Sequence, residues 1–515
     1  MQKFMSLYSP SILGVLSGFD RLVFRGTLRG LAYLEGMRAF LWRMQILLKD
    51  FADFVHETTD SVKEASLRSA NAAGRPVIYL TSSRTSKEDV ARQVLERDDV
   101  ESGLICVLKA VEPCWSYEIH RCREKKRLEL RPAIRKCLHL YHYFHDQRLG
   151  VMSARIQTWF PFNIQICLNG REWLGKQMEK ADIGFHRSEN CFTWVDDLDG
   201  AQSLLDRQLR VSWPSLLDRI ARTINPVLTT LFASYPQQYY WSVYQSEWAT
   251  DILFRDPRSL ARIYPRLVHH AITSMSCRDI MRFLGRKLNG AFKDQIVSGF
   301  VHRPEGVRVK HRAGSNSIKV YDKQGSVLRV ETTINDPHDF RVFRPKEGDP
   351  NGPCSWRIMR KGIADIHRRA KVSQAANQRY IEALTPDSET TTLKEVLAEI
   401  CQPTTWRRRR ARALRPWDDG EASLLAAVAS GQFLINGFRN RDLVNELHPD
   451  LQDSEDQRRK AAACITRKIR LLRAHGLVRK VPKTHRYLLT AKGRRTITPL
   501  LAAREAPTSL FVTAA

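Results

Sequence analysis

The sequence lacks any run of about 18 apolar residues, the length a helix needs to cross a bilayer, which argues against a membrane span. It has no Cys-x-x-Cys pair. Its ten cysteines stand singly between Cys106 and Cys464, which argues against a structural zinc site and a disulfide framework and fits a reducing cytoplasm. No Gly-x-x-x-x-Gly-Lys-Ser/Thr loop is present, so nothing points to ATP-driven work. None of the 15 histidines lies two residues from another, which removes the His-apolar-His metal motif. The stretch from Met1 to Phe19 is mildly apolar but broken by Ser, Pro and Gly, with no small-residue cleavage site, so it does not read as a secretory signal. Acidic residues are the minority: 55 Asp+Glu against 83 Lys+Arg leave a formal net charge of +28. That excess suits polyanions, because each phosphate neutralised by a Lys or Arg releases condensed counterions.

The pattern along the chain predicts an α+β, multidomain protein. Residues 1–130 mix helical stretches (Leu31 to Phe54, Lys87 to Arg97) with short apolar runs at Val77–Leu80 and Leu104–Leu108, and read as an α/β domain. Residues 131–384 read as an α+β domain built on an antiparallel sheet, with β-like segments at His139–His145 and Val151–Leu168 and a meander from about Phe300 to Phe343. Residues 214–295 look mostly helical. Residues 385–420, which hold Trp406-Arg407-Arg408-Arg409-Arg410, read as a basic linker, either a solvated charge run or a tether along phosphates. Residues 421–503 form a last domain and 504–515 a tail.

Within 421–503 a helix from Glu421 to Ala429 is apolar at Leu424, Leu425 and Val428, and Asn440 sits where it would cap a second helix. A long helix, Gln457 to His475, stops at Gly476; Ala462, Ile465, Ile469 and Leu472 recur along it at core spacing. Two strands then flank Pro482–His485, and a helix starts at Ala491. This order is the winged helix-turn-helix plan. The stretch Thr466–Val478, with Arg486-Tyr487-Leu488-Leu489-Thr490-Ala491-Lys492-Gly493, resembles bacterial regulators of the MarR and ArsR type. The resemblance implies DNA contacts from the long helix and the wing, here Arg459, Lys460, Thr466, Arg467, Arg470, Lys480, Lys483, His485 and Arg486. A winged helix used for protein contacts is the alternative.

In the central region a three-residue loop at Gln324–Ser326 sets the register of a hairpin. Lys319 then opposes Glu331, Tyr321 opposes Arg329, and all four share one face. Ile318, Val320, Leu328 and Val330 take the other face, and Asp322 closes the strand. Such a face suits phosphodiester chemistry. Glu331 with Asp322 would hold Mg²⁺ or Mn²⁺, Lys319 and Arg329 would stabilise developing charge, and Tyr321 would be the nucleophile. The plain alternative is a cross-strand salt bridge on a solvated sheet. Lys310 and Arg312, in the preceding strand, add a nucleic-acid contact surface. The pair Ile318–Lys323 and Leu328–Glu331 resembles a motif of plasmid and filamentous-phage replication initiators, which implies a metal-dependent nicking or strand-transfer enzyme.

Three other constellations stand out. In Tyr239–Trp248, helical spacing would put Tyr240 and Tyr244 on one face as a two-tyrosine site, or simply as core. Glu247 and Asp251 sit four apart, as ligands or surface carboxylates. His139, His142 and His145 form an H-x-x-H-x-x-H series that no regular element aims in one direction. The alternating Arg155–Phe162 is a base-stacking platform or a sheet core. The combined expectation is a cytoplasmic, mobile-element or replication-initiator type nucleic-acid-binding protein, with DNA the first partner and RNA the second. The alternatives are a non-enzymatic winged-helix regulator or an RNA-binding scaffold.

Overall fold

The computed structural model describes residues 1–505 except 83, 274, 276, 286–295, 305, 350, 386–392, 431–432, 434–436, 450–454 and 483. The protein is α+β, with a large mixed sheet. Its chain divides into two discontinuous compact units, Ser11–Asp256 with Ser315–Asn377, and Met1–Pro10 with Pro257–Gly314 and Gln378–Ala515. No helix among the described residues is long and apolar enough to cross a membrane.

The strands are, in chain order, β1 (Ile12–Leu28), β2 (Val77–Tyr79), β3 (Gly103–Cys122), β4 (Arg127–Asp146), β5 (Gly150–Gln157), β6 (Ile164–Asn169), β7 (Phe185–Ser188), β8 (Cys191–Val195), β9 (Tyr239–Phe254), β10 (Ile296–Arg303), β11 (Gly306–Ala313), β12 (Asn316–Lys323) and β13 (Val327–Ile334). In the larger unit the sheet runs β12-β13-β9-β1-β6-β5-β4-β3-β2, antiparallel but for the β2–β3 pair. β7 and β8 form a separate hairpin.

The anticipated boundary at residue 130 falls inside the β3–β4 hairpin, and residues on both sides share one sheet and one unit. Pairing between distant strands, which no local pattern reports, joins them. β1 is long, central and largely buried, although its Ser and Gly residues disguise it in the sequence. The expected helix Leu31–Phe54 is two helices, Leu34–Arg43 and Phe51–Ala72, parted by a left-handed Gln45. Tyr239–Trp248 is strand, not helix. Its β-branched and aromatic side chains suit a pleated surface, and β9 pairs with both β1 and β13.

One face of the β9–β13 region is covered by the helix Ile366–Leu384. Arg369 donates to the Val243 carbonyl, and Asn377 to the carbonyls of Trp248 and Val330. The opposite face carries the charged groups described below. The core beneath the sheet gathers Phe19, Phe24, Leu28, Phe40, Phe160 and Phe162, all with no exposed surface.

In the smaller unit β10 and β11 pair, and the helix Pro257–Thr273 lies on β11, where Tyr264 donates to the Val307 carbonyl. The C-terminal part contains the helices Asp419–Ala429, Asn440–Leu447, Glu455–Ala474 and Ala491–Glu505 and a hairpin pairing Val478–Lys480 with Tyr487–Leu489. Gly476 ends the long helix at φ +73°. Ile465, Ile469 and Leu472 are buried against Leu424, Leu425 and Val428. Arg439, not Asn440, is the N-cap; Asn440 instead bonds the Ala462 carbonyl and the Thr466 hydroxyl, tying the two helices together. The stretch expected to be a linker is structured where it is described. Leu393–Ile400 is helical, Thr404–Trp406 pairs with Arg409–Ala411, and Ile400 and Leu414 join the same core. Leu397, partly buried, packs against that core as well.

Candidate metal centre

The charged face is assembled from three neighbouring strands, β13, β9 and β1. The β12–β13 hairpin has the register set by its three-residue loop, with Lys319 opposite Glu331 and Tyr321 opposite Arg329. Gln324 and Gly325 take φ of +60° and +74°. On β9, Glu247 and Asp251 are an even number of residues apart and so face the same way. On β1 a bulge falls between Phe19, which pairs with Trp248, and Arg21, which pairs with Glu247. The extra residue is Asp20. A bulge of this kind re-aims a side chain, and here it brings Asp20 and Arg21 together on the face of Glu247. Gly170 admits the last element: a Cβ there would lie 1.8 Å from the Phe19 carbonyl oxygen. Its absence lets the helix Gly170–Lys180 start against β1 and deliver Arg171 to the cluster.

Carboxylate oxygens of Asp20, Glu247 and Glu331 all lie within 4.8 Å of one another. Tyr321 donates to Glu331 Oε2 at 3.0 Å, and Lys319 Nζ is 2.6 Å from Oε1, an ion-pair contact rather than an aligned hydrogen bond. Asn190 donates its side-chain amide to both oxygens of Asp20. Arg329, with no exposed surface, holds Asp251 through two bonds of 2.6 and 2.9 Å and reaches Asp20 at 3.3 Å. Arg171 contacts Asp251 at 2.8 Å.

The electrostatics separate two regions. Burial opposes the charge on Arg329, but Asp251 and Asp20 outweigh it and hold the guanidinium protonated. This inner group is a compensated ion network. The outer group is under like-charge stress. Burial and then the neighbouring Glu331 push Glu247 up to about 7, and burial, with Glu331 and Asp251, raises Asp20 against the pull of Arg329. Asp20 and Glu247 line a cleft of about 680 Å³ of mixed charge, shared with Arg21, with the pairs Arg92–Glu88 and Arg187–Glu172, and with Glu96 and Glu189. Glu331, 1 % exposed, sits outside that lining.

No family model, curated protein or solved structure matches this chain. The chemistry rests on the residues themselves. Three hard oxygen donors suit Mg²⁺, Mn²⁺ or Ca²⁺ better than softer metals. Two metal–oxygen bonds of about 2.1–2.4 Å span about 4.2–4.8 Å, so the observed separations fit one ion. A divalent cation would also relieve the repulsion that raises Glu247.

Of the residues singled out in the sequence, Lys319, Tyr321, Arg329 and Glu331 converge as expected, but on a buried face and not a solvated one. Asp322 does not join them. It alternates to the opposite face of β12, and the carboxylates that gather with Glu331 are Asp20 and Glu247 instead. Tyr321 is 6 % exposed, and burial followed by the charge of Glu331 raises its phenol well above the usual value. It orients Glu331 and is not placed as a nucleophile. Tyr240 and Tyr244 lie on strand β9, 39 % and 50 % exposed, without the helical stacking a two-tyrosine site needs.

The histidine series is structural. His142 bonds the Ser66 hydroxyl and His145 the Val100 carbonyl, while burial lowers both His139 and His142 to about 4. In Arg155–Phe162, Ile156, Phe160 and Phe162 are core. Lys310 and Arg312 are exposed on β11 of the smaller unit. Arg459, Lys460, Thr466, Arg467 and Arg470 are exposed on the long helix, Lys480 and His485 are exposed, and Arg486 is half-buried. Lys460 pairs with Asp456. Lys483 lies outside the described residues.

Sequence reasoning missed Asp20, Asn190 and Arg171. Asp20 carried one usable signal, a lone acid in a long apolar stretch; the other two are brought in by turns whose location depends on the sheet.

Proposed function

We propose that the protein is a nucleic-acid-processing enzyme that cleaves or transfers phosphodiester bonds with a divalent metal held by Asp20, Glu247 and Glu331, and that its C-terminal part is a winged helix that grips the target. The observation that carries this reading is the meeting of three carboxylates from three adjacent strands, two of them opening onto a cleft lined by both acids and arginines. A bound Mg²⁺ or Mn²⁺ would polarise a phosphoryl oxygen and lower the pKa of a coordinated water. Arg21 at the cleft is suited to receive a phosphate, since a guanidinium fork matches its geometry, while Arg187 is paired with Glu172. Tyr321 and Lys319 orient Glu331, and Arg329 and Arg171 hold the acidic face together. With the tyrosine committed to Glu331, the nucleophile is an exogenous hydroxyl or water, and no covalent protein–DNA link is expected.

Support for a winged helix comes from the order helix, helix, long helix, hairpin, helix and from the exposed Arg459, Arg467 and Arg470 on the long helix. DNA is the first candidate partner and RNA the second. A cytoplasmic setting accords with ten cysteines, none of them in a disulfide.

The buried Asp251–Arg329–Arg171 network favours a second reading, in which the acidic face is only cement for the sheet and the protein is a binder. Incubation with labelled single- and double-stranded DNA and RNA, with and without Mn²⁺ or Mg²⁺, separates the two. Wild type should cut at least one of them with metal, and Asp20→Asn and Glu247→Gln should bind it and not cut. Metal should raise the melting temperature of wild type alone, by the equivalent of about 2.7 kcal/mol at a hundredfold excess over Kd. Cleavage that survives Glu247→Gln would take this carboxylate out of the chemistry and overturn the proposed metal site, whereas no cutting and no metal effect on the melting temperature leaves the binder reading standing.

A further inference from the structure

The segment Thr404–Ala411 forms a hairpin closed by only two residues, Arg407 and Arg408, at φ +51° and +61°. Two successive left-handed residues define a type I′ turn, which favours Asn-Gly because side chains with a Cβ are crowded there. Arginine at both positions is poorly suited to the turn itself. Strained backbone of this kind gathers at functional positions.

The surroundings say what the function is. The Trp406 ring is flanked by the guanidiniums of Arg407 and Arg473, each 4.9 Å from its centroid, and Arg473 also lies 5.8 Å from the Tyr487 ring. Stacking uses the faces of a guanidinium and leaves its in-plane N–H donors for an acceptor. Trp406, Arg407, Arg409, Arg470, Arg473 and Tyr487 line a surface cavity of about 430 Å³ that has no acidic residue among its lining. Among the described residues no carboxylate makes an ion pair with any of these four arginines.

We propose that this hairpin and the adjoining face of the helix Glu455–Ala474 form a binding site for the backbone phosphates of a nucleic acid, with Arg407 and Arg408 at its tip. Arginine forks, held by aromatic stacking, match the paired oxygens of a phosphodiester. An open cavity on a helix that already presents Arg467 and Arg470 suits a continuous polyanion better than a small anion. The proposal rests on the nucleic-acid reading above.

The test uses the full chain and a fluorescent DNA duplex, titrated at several salt concentrations. The double variant Arg407→Asn/Arg408→Gly installs the preferred turn and removes two charges. It should melt at or above the wild-type temperature, bind more weakly, and show a log K against log salt slope shallower by about 1.8. Arg473→Lys, which keeps the charge but loses the stacked fork, should also weaken binding. If both variants bind with wild-type affinity and slope, the hairpin is only structural and the proposal fails while the nucleic-acid reading survives. If wild type itself binds no duplex or single strand, both fail. A thermal shift with inorganic phosphate that the double variant loses, without any change in DNA binding, would overturn the backbone assignment in favour of a small anion.

Discussion

Glu247 is the residue whose chemistry is most exposed to experiment. Burial and the adjacent Glu331 hold its carboxyl near 7, above the value it has in an unfolded chain. The folded protein therefore binds this proton more tightly than the unfolded chain, and the stabilisation is complete below about 4.5. It is lost as pH rises through about 7. Glu247→Gln should flatten the dependence of stability on pH between about 5 and 7, by about 1–2 kcal/mol after allowing for its contact with the cleft. Denaturant unfolding of wild type and variant at three pH values measures this, and equal slopes would contradict the assigned environment. Seen in sequence, Glu247 and Asp251 were only two acids four apart, ambiguous between ligand and surface. The neighbour that shifts Glu247 comes from a different strand, so its role was not legible locally.

At the scale of elements, legibility followed the range of the forces involved. The β12–β13 register was readable because loop length and the period of two dictate it, and the pairing of Lys319 with Glu331 came out as that rule requires. Asp322 was misassigned by the same rule, since a residue next to Tyr321 must face the other way. The long C-terminal helix was readable from its stripe and its glycine stop. Ile465→Ala, which removes a fully buried side chain, should cost about 2–5 kcal/mol. Gly476→Ala should cost about 1 kcal/mol, because φ +73° suits a residue without Cβ. Thermal melts that rank Gly476→Ala as the more damaging would show that the turn, and not the core contact, secures this helix. Tyr239–Phe254 was misread because aromatic spacing fits both periods, and its long-range partners β1 and β13 decide for strand.

At the scale of the whole molecule the net charge of +28 is the electrostatic basis of the proposed nucleic-acid binding. With about six phosphates neutralised, log K for nucleic acid should fall with a slope near −5 against log salt. Anisotropy titrations from low to moderate salt measure it, and a slope near zero would remove the electrostatic basis for binding.

The sequence by itself determined the charge, the α+β composition, the hairpin register and most of the C-terminal elements, because these depend on counts, periodicities and turn chemistry within a few residues. The tertiary structure alone decided that residues on either side of 130 share one sheet, that a bulge turns Asp20 toward Glu247, and that Arg329 is buried as the counter-ion of Asp251. Those outcomes depend on which strands lie side by side. That choice is made by burying the whole apolar surface at once, and no local window contains it.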